Sequence, residues 1–470
     1  MPVYQYNQPD RLVGQFATSS PGTGWTVVAS LATLVTNART ANLPLFLLPG
    51  TYPSLQIAVS SGTGGGNPLV ICGVPGATII QLSGADANLL AINDVNNVVI
   101  NDIAFDGGYQ SITDPSNAAS LVNVSGAAVR NLVLNRCSVY NSTKCGISFH
   151  SDASGVVSNS TIFGCDIGIF SIDASVKVDS NVVAYCTNNG IAVWTSAQAG
   201  NFSTISNNTV RSIDAQAGGT GQNGNGISVY RAGGVKILNN TVSECHYSAI
   251  RLNGASDGQV IGNYCWGIRE TAIYFEAPGS DVNLTGGICS NNIINGAGTG
   301  IAVVNSGLYD DGISRKVTVS NNQISTVTAN YLPVEGYNTL AAAIVVEGSC
   351  NVVGNNIENA ENYGIILGTN EGTTDLLASG NYIHSCPLGI GYSVDPAAVR
   401  ILIDGNLISD FTVSSDPSSS AYAHSGAIVA GSSIGSGFVR NSSGGTPNID
   451  YGNATQTIAG PLTVGMNKAS

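Results

Sequence analysis

A short motif that recurs about every 28 residues constrains this chain more than any other feature. Its first half is Asn, any residue, then Ile or Val, with a Cys variant at Asn263. Its second half is Gly or Ala, then Ile, any residue and an apolar residue, as in Gly190-Ile191-Ala192-Val193. The first half makes eight steps over the 225 residues from Asn181 to Asn406. Its members begin at Asn181, Asn208, Asn240, Asn263, Asn292, Asn322, Asn355, Asn381 and Asn406.

The repeat predicts short strands rather than helices. Alternating apolar triplets separated by Gly, Asn and Ser are typical of strands and turns. The long apolar faces at 3.6-residue spacing that helical repeats carry are missing. One coil cannot bury its apolar side alone, so successive coils must stack on one another. We therefore predict an all-β fold, a single-stranded parallel β-helix or solenoid.

The Asn and Gly of the motif have structural explanations. Asn tolerates the left-handed conformation of a tight bend, and its side chain can bond to its own backbone. In a stack, successive Asn amides can also bond to one another. A Gly before the inward Ile suits a sharp corner with an unusual φ. We interpret both rows as structural.

Four cysteines lie four or five residues before the inward Ile of their coils: Cys165, Cys186, Cys245 and Cys386. Buried Cys behaves as a small apolar residue. We therefore expect an interior column of free thiols, with disulfides or catalytic thiols as the alternative.

The two ends of the chain differ from the repeat. Residues 25–41 carry apolar residues at helical spacing and predict a helix that caps the first coil. Residues 1–24 are expected to be an N-terminal extension, and residues 25–440 the β-helix with its cap. Residues 441–470 lose the repeat and are expected to be a tail, a cap or an assembly segment.

The charge of the chain limits the classes of molecule that it is expected to bind. Sixteen basic residues against 29 acidic ones give a net charge of −13, which argues against nucleic acid because phosphate binding needs clustered cations. No apolar run, Leu43 to Leu48 included, is long enough to span a bilayer. The cysteines form no Cys-x-x-Cys pair, so no metal site is expected. We expect no cofactor, with calcium at Asp310 and Asp311 as the alternative.

The chain resembles the pectin-lyase-like superfamily of right-handed parallel β-helices, on the segment Leu47 to Tyr52 and on the coils that follow. More narrowly, it resembles an uncharacterised family of twin-arginine-translocated β-helix repeat proteins. The segments that carry this resemblance are 224–232, 247–251 and 270–274. It implies right-handed coils, export in the folded state, and a periplasmic or extracellular location. The family supplies no established activity, and the given sequence shows no export signal.

One stretch of the outward-facing positions collects aromatic and ionisable groups. Residues one and three positions after the inward Ile should face solvent. Those positions and the neighbouring corners hold the candidate substrate-binding residues Trp194, Tyr230, Arg231, Arg251 and Arg269, and the candidate catalytic residues His246, Glu270, Tyr274 and Glu276.

The arginines Arg211, Arg231, Arg251 and Arg269 are 20, 20 and 18 residues apart, close to one per coil. A basic strip in an acidic protein suggests an anion site, since Arg binds carboxylates or sulfates in a two-pronged fashion and aromatic rings cover sugar faces. The alternative is a solvated face on which Arg pairs with Glu244, Glu270 and Glu276.

Three kinds of chemistry remain open. A lyase or epimerase acting on uronates needs a base, here His246 or Tyr274, and cations such as Arg251 and Arg269. A hydrolase needs two carboxylates, for which Glu270 and Glu276 are the pair. A non-catalytic binder needs only the aromatic residues and the arginines. The Asp-Pro-His-Asp, Gly-His-Gly and Arg-Ile-Lys signatures of related enzymes are missing.

Insertions at 214–225, 328–340 and 412–425 should emerge on one side and wall a groove beside these residues. The leading hypothesis is binding or modification of an extracellular, anionic polysaccharide. The first alternative is a structural or adhesive surface protein that self-assembles through its terminal segments. A trimeric fibre-like spike is the second, so a homo-oligomer remains open.

Overall fold

A computed structural model describes residues 2–58, 67–81, 88–110, 119–218, 223–277, 285–305, 316–368, 374–393, 399–411, 426–434 and 437–440, and short strands at 456–457, 462–464 and 468–469. The chain divides into two compact units. The first comprises residues 1–197 and 201–214, and the second residues 198–200 and 215–470.

The first unit contains one helix, α1 (Leu31–Ala41), and short strands. The strands are β1 (Val3–Asn7), β2 (Leu12–Phe16), β3 (Thr26–Val28), β4 (Leu45–Leu47), β5 (Gly50–Tyr52), β6 (Leu55–Ala58), β7 (Leu69–Cys72), β8 (Thr78–Gln81), β9 (Leu90–Asn93), β10 (Val98–Asn101), β11 (Ala104–Asp106), β12 (Ser120–Ser125), β13 (Leu132–Asn135), β14 (Ser138–Tyr140), β15 (Cys145–His150), β16 (Ser154–Ser158), β17 (Thr161–Phe163), β18 (Ile167–Ile172), β19 (Ser175–Asp179), β20 (Val182–Ala184), β21 (Asn189–Gly200, whose last three residues belong to the second unit), β22 (Thr204–Ser206) and β23 (Thr209–Ile213).

The second unit continues with strands. They are β24 (Asn225–Gly233), β25 (Lys236–Leu238), β26 (Thr241–Cys245), β27 (Ile250–Asn253), β28 (Gly258–Ile261), β29 (Tyr264–Ala277), β30 (Gly287–Ser290), β31 (Ile293–Asn305), β32 (Val317–Ser320), β33 (Gln323–Val327), β34 (Tyr331–Leu332), β35 (Tyr337–Asn338), β36 (Ala342–Val346), β37 (Cys350–Val353), β38 (Asn356–Ala360), β39 (Tyr363–Leu367), β40 (Thr374–Ser379), β41 (Tyr382–His384), β42 (Leu388–Ser393), β43 (Val399–Asp404), β44 (Leu407–Ser409), β45 (Gly426–Ile434), β46 (Gly437–Arg440), β47 (Gln456–Thr457), β48 (Leu462–Val464) and β49 (Lys468–Ala469).

A coil of the first unit consists of three strands, each of which pairs in parallel with the strand three positions later. Thus β13 pairs with β16, β14 with β17, and β15 with β18, and the next coil repeats this pattern. The register places Ile147 beside Ile169, and Ile169 beside Ile191. These isoleucines are fully buried, so the predicted inward column of the second half-motif is confirmed.

The second unit has the same construction, with an inward column of isoleucines. Its members pair in register as Ile227, Ile250, Ile273, Ile301, Ile344, Ile365 and Ile390. All of them are buried. Because each strand finds its hydrogen-bond partners in the coils before and after it, this apolar interior is bounded by paired backbone.

The motif asparagines form ladders, as predicted. In the second unit, Asn292 donates from its backbone N and from Nδ2 to Oδ1 of Asn322, at 3.0 and 2.9 Å. Asn322 repeats this pattern toward Asn355. The ladder runs through Asn240, Asn263, Asn292, Asn322, Asn355, Asn381 and Asn406. In the first unit Asn181 bonds to Asn208 in the same way. Each ladder member is thereby a buried amide with its own partners.

The conformational explanation of both motif residues needs correction. The left-handed residue is not the ladder Asn but the residue before it, as in Asn321 and Gly354. The Gly before the inward Ile has an ordinary φ. Its role is steric, because a Cβ on Gly168 would lie 2.6 Å from the carbonyl oxygen of Gly190 on the next coil.

The prediction that these cysteines are free and lie in the interior is confirmed. Cys165, Cys186, Cys245 and Cys386 are free and buried. Burial raises the pKa of Cys165 to about 12 and that of Cys186 well above its usual value. They are therefore protonated, packed thiols rather than nucleophiles.

The predicted helix at 25–41 begins later than expected. It spans Leu31–Ala41, and Ser30 accepts a hydrogen bond from the backbone N of Thr33 at 3.1 Å as its N-cap. The preceding Thr26–Val28 forms β3, which pairs antiparallel with β1. Ser30 sets the start of the helix because its side chain satisfies a donor that the first turn leaves open. Leu31, Leu34 and Val35 are buried.

The last strands return to the stack: β48 pairs in parallel with β43, and β49 with β44. Within the described ranges, no helix is long and apolar enough to cross a membrane.

Candidate functional site

The outward column of the second unit has the predicted register. Ser228 lies beside Arg251, Arg251 beside Tyr274, and Tyr274 beside Ala302. The parallel row places Asn253 beside Glu276. The expectation that this face is open to solvent is wrong for most of it, since Ser228, Arg251 and Ala302 are buried.

A buried ion cluster occupies the centre of this column. The guanidinium of Arg251 donates from Nε and Nη2 to Oε2 of Glu276, at 2.9 and 2.7 Å. Its Nη1 lies 3.3 Å from Oε2 of Glu270. The carbon of the same guanidinium lies 4.5 Å from the ring centre of Tyr274. One arginine therefore holds both candidate carboxylates and covers one candidate ring. We call these four residues the Arg251 cluster.

Glu276 is fixed through one oxygen only. Its Oε2 accepts both bonds from Arg251 and a third, at 3.1 Å, from Nδ2 of Asn253. Within the described part of the chain, no group bonds to Oε1. The side chain is 13% exposed. The result is an oriented carboxylate with one oxygen still available.

Glu270 reaches the cluster because its strand is irregular. The register between β29 and β31 shifts between Ile268 and Thr271, so that Arg269 and Glu270 together lie opposite Gly298. Such a bulge redirects a side chain. Here it directs Glu270 to Arg251 and to Oγ of Ser248, which donates at 2.8 Å. The bulge needs Gly298, because a Cβ there would lie 2.7 Å from the carbonyl oxygen of Glu270.

Tyr274 is partly exposed beside these charges. Burial raises the pKa of Tyr274 well above its usual value, and Glu276 raises it further while Arg251 opposes the shift. The phenol therefore keeps its proton at neutral pH. Tyr274 can donate a hydrogen bond, but the prediction that it acts as a base is not supported.

The insertion at 328–340, one of the three expected to wall a groove, lies beside the cluster. It folds into the hairpin of β34 and β35. Tyr247 donates from its hydroxyl to Oε2 of Glu335 at 3.1 Å, and Asn330 donates from Nδ2 to the carbonyl oxygen of Arg269 at 3.0 Å. Tyr337, at the hairpin's second strand, is 45% exposed. The hairpin thus places an exposed aromatic ring on this face.

The other candidates do not join the Arg251 cluster. Trp194 belongs to the first unit, where its ring packs edge-on against Phe170 at 5.1 Å. Tyr230 lies beside Asn253 in register, and the guanidinium of Arg231 stacks over its ring at 4.9 Å. His246 packs its ring against that of Tyr247 at 5.0 Å.

Within the second unit, the predicted strip of arginines is wrong. Arg211 lies in the first unit and stacks on Tyr185 at 5.0 Å. In the second unit, the register aligns Ser228 with Arg251, so Arg231 comes three positions later along its strand. Arg269 lies in the bulge. Equal sequence spacing does not give one column, because coil lengths vary and hydrogen-bond register decides which residues are neighbours.

Sequence reasoning did not assign Ser248, Asn253, Gly298 or Glu347 to the site. Glu347 is buried on the same face, one coil beyond β31, and its backbone N donates to the carbonyl oxygen of Val303 at 3.0 Å. The available signal for Asn253 and Glu347 was their place in the outward column. No such signal marked Ser248 or Gly298.

Some predictions fall on residues that are not described. The possible calcium ligands Asp310 and Asp311, the insertion at 412–425 and residues 219–222 of the first insertion lie outside the described residues. Among the residues that are described, no group of three His, Cys, Asp or Glu side chains is arranged to hold a metal ion.

Two family profiles match the chain. Residues 197–374 match the family described as right handed beta helix region. Residues 73–274 match the family described as periplasmic copper-binding protein (NosD). No curated protein matches the sequence significantly.

Similar solved structures include the A-module of a mannuronan C-5 epimerase from Azotobacter vinelandii, with 13% identity over 83% of this chain and 96% of that one, at a TM-score of 0.43. A PL6 alginate lyase in complex with a trisaccharide shares 13% identity over 82% of this chain and 86% of that one, at a TM-score of 0.47. The catalytic unit of an α-1,3-glucanase from Streptomyces thermodiastaticus shares 13% identity over 92% of this chain and 65% of that one, at a TM-score of 0.43.

The family matches agree with the three-strand parallel coils and their inward isoleucine columns. The chain thus has a parallel β-helix fold, and residues 197–374 of it resemble the right handed beta helix region.

Proposed function

We propose that this protein binds and hydrolyses a polysaccharide at the Arg251 cluster. The observation that carries the proposal is the carboxylate of Glu276, which is held by Arg251 and Asn253 through Oε2 while Oε1 has no partner among the described residues. A fixed acceptor of this kind suits a sugar hydroxyl or the water that attacks a glycosidic bond.

Neighbouring groups supply the remaining contacts. Tyr274 offers a protonated hydroxyl, and the exposed ring of Tyr337 offers a flat apolar surface for a sugar face. Glu270 is the second carboxylate on the same guanidinium. Hydrolysis would break the glycosidic bond as Glu276 takes a proton from the attacking water and the protonated Tyr274 gives one to the leaving sugar oxygen, while Glu270 helps to hold Arg251.

Lyase or epimerase chemistry has less support in this geometry. It needs a base and a cation that neutralises a uronate carboxylate. Arg251 already pairs with two glutamates, and Tyr274 holds its proton. Arg251, which was expected to bind the carboxylate of an anionic substrate, is therefore already occupied by these glutamates.

The test is incubation with neutral, acidic and amine-bearing polysaccharides, with mass spectrometry of the released products. Glu276→Gln should abolish products while the protein stays folded by circular dichroism. Glu358→Gln, an exposed glutamate on β38, is the matched control and should leave the products unchanged. Equal product yields from Glu276→Gln and the unaltered protein would remove Glu276 from the mechanism.

A non-catalytic adhesive or structural role is the second candidate. The pairing of Arg251 with both Glu270 and Glu276 favours it, because a buried ion cluster can serve the fold alone. Binding of a polysaccharide without any product would select this role.

We also propose a periplasmic or extracellular location, in line with the description of the second matching family and with what the resemblance to the twin-arginine-translocated family implies. Copper is not part of the proposal. The described residues contain no suitable group of ligands, and the cysteines of the coils are buried, protonated thiols.

A further inference from the structure

A serine, a histidine and an aspartate meet on strands of the second unit that do not contribute to the Arg251 cluster. These strands are β41 and β44, which pair in parallel on neighbouring coils. Their register places His384 beside Ser409, and Asp410 follows Ser409 at the end of β44. His384 and Ser409 are 25 residues apart in sequence, so the stacking of the coils brings them together.

The three side chains form a chain of polar contacts. Nδ1 of His384 lies 3.0 Å from Oγ of Ser409, and Nε2 of the same ring lies 3.5 Å from Oδ2 of Asp410. A carboxylate only accepts hydrogen bonds, so the proton of the neutral imidazole lies on Nε2. Nδ1 then has the lone pair and accepts the hydroxyl proton of Ser409. The contacts therefore run from hydroxyl to imidazole to carboxylate, as nucleophilic catalysis by a serine requires.

The group is accessible to a substrate. The side chain of His384 is 30% exposed and that of Asp410 is 67% exposed, and Ser409 is half-buried. In the neighbouring row, Tyr382 and Leu407 lie side by side and are exposed. The ring of Tyr382 is nearly parallel to that of His384, with 6.1 Å between the ring centres. These two apolar side chains give a small surface beside the hydroxyl, which suits a short acyl group.

The residue after Ser409 supplies a backbone donor. At the equivalent place on the preceding coil, the backbone N of Ser385 donates to the carbonyl oxygen of Ser409 at 3.2 Å. Asp410 has a left-handed φ of 52°, and its own backbone N has no acceptor among the residues that the structure describes. An open N–H on the residue after a nucleophile can stabilise the oxyanion that forms during acyl transfer.

We propose that Ser409, His384 and Asp410 form a second catalytic site, which hydrolyses short-chain carboxylic esters such as an O-acetyl group on a sugar. Oγ of Ser409 bonds to the carbonyl carbon while its proton passes to Nδ1 of His384. The ester C–O bond breaks, and the departing alkoxide takes the proton from Nδ1. Water then attacks the acyl-serine and gives a proton to Nδ1, and Oγ recovers that proton as the acid leaves. Asp410 holds the ring in the required tautomer.

The experiment treats the full chain with a fluorophosphonate, which reacts with an activated serine, and locates the adduct by mass spectrometry of peptides. We expect the adduct on Ser409. Hydrolysis of p-nitrophenyl acetate should fall at least ~100-fold in Ser409→Ala and in His384→Gln. Asp410→Asn keeps the shape of the side chain and should slow both labelling and hydrolysis at least ~10-fold, because the ring tautomer is no longer fixed. Circular dichroism checks that the variants fold.

The first unit offers a matched control. Oγ of Ser151 lies 3.1 Å from Nδ1 of His150, but Nε2 of that ring contacts the amide oxygen of Asn123 instead of a carboxylate. Ser151 should stay unlabelled, and Ser151→Ala should hydrolyse the ester at the unaltered rate. Absence of an adduct on Ser409, equal labelling of both serines, or a fully active Ser409→Ala protein would overturn the inference. None of these readouts involves the Arg251 cluster, so each outcome leaves the proposed function to its own test.

Discussion

Arg251 and Glu276 face each other across two neighbouring coils, with Nη2 of the arginine 2.7 Å from Oε2 of the glutamate. The arginine side chain is 4% exposed. A fold that contains a charge buried this deeply is stable only when the partners of that charge are in place. The pair therefore links the stability of the second unit to the geometry of its site.

Removal of Arg251 should therefore be costly. Arg251→Met leaves Glu270 and Glu276 without their counter-charge, and we expect a loss of about 3–5 kcal/mol in the free energy of unfolding. Urea denaturation followed by circular dichroism measures it. Arg400→Met, which breaks the exposed pair with Asp375, is the control and should change stability little. A similarly small loss of stability at both positions would contradict the stabilising role of the buried pair between Arg251 and Glu276.

The bulge predicts a strict requirement for Gly298. A side chain at this position would press on the backbone of Arg269 and Glu270. Gly298→Val should cost about 1–3 kcal/mol and, by displacing Glu270, should also reduce polysaccharide binding. Denaturation and calorimetry test the two effects. Unchanged binding in a folded Gly298→Val protein would show that the position of Glu270 is not needed.

The asparagine ladder predicts that substitutions at two neighbouring residues differ sharply in their effect on stability. Asn322→Ala removes the acceptor of two Asn292 donors at a buried position, and we expect a loss of about 2–4 kcal/mol because those donors lose their partner. Asn321→Gly changes the left-handed residue one position earlier, where Gly is well suited, and should be tolerated. Thermal unfolding of both variants makes the comparison.

The thiols should be almost unreactive in the folded protein. All ten cysteines are free, and only Cys72 is partly exposed. A thiol reagent at neutral pH should modify about one cysteine rapidly in the native protein and all ten in denaturant. Replacement of Cys72 by Ser should remove the rapid phase. Rapid modification of several thiols in the native protein would contradict the burial of these cysteines.

The burial of Tyr363 predicts that the folded protein loses stability at alkaline pH. Burial raises the pKa of Tyr363 from 10.0 to about 12, so the folded chain keeps this proton while the unfolded chain releases it. Its contribution is complete below pH 10 and falls as pH rises toward about 12. Tyr363→Phe should make the free energy of unfolding less dependent on pH in this interval. Tyr109→Phe, at an exposed residue, should not.

Much of the fold was predictable from local pattern. The inward isoleucines, the Asn ladder and the buried thiols follow from a motif that repeats once per coil, because stacked coils place equivalent residues in register. The helix start was misplaced because a short strand that pairs with β1 precedes Ser30. The local apolar pattern does not distinguish that strand from another helical turn.

The candidate site was predictable only as a set of residues. The outward column was correct in register at Arg251, Tyr274 and Glu276, but it was expected to be open and rich in available cations. The partners of Arg251 depend on the bulge at Glu270, and the setting of Tyr337 depends on a hairpin inserted far along the chain. Neither relationship has a periodic signal.

The sequence by itself determined the stack: which residues point inward, which asparagines bond to one another, and that cysteines fill the interior. These properties depend on identical neighbours one coil apart, and a repeat encodes them directly. The tertiary structure alone decided that Arg251 is neutralised and that Glu276 keeps one free oxygen toward the described residues. Such contacts depend on bulges and insertions that break the repeat, and only the folded chain fixes where they meet.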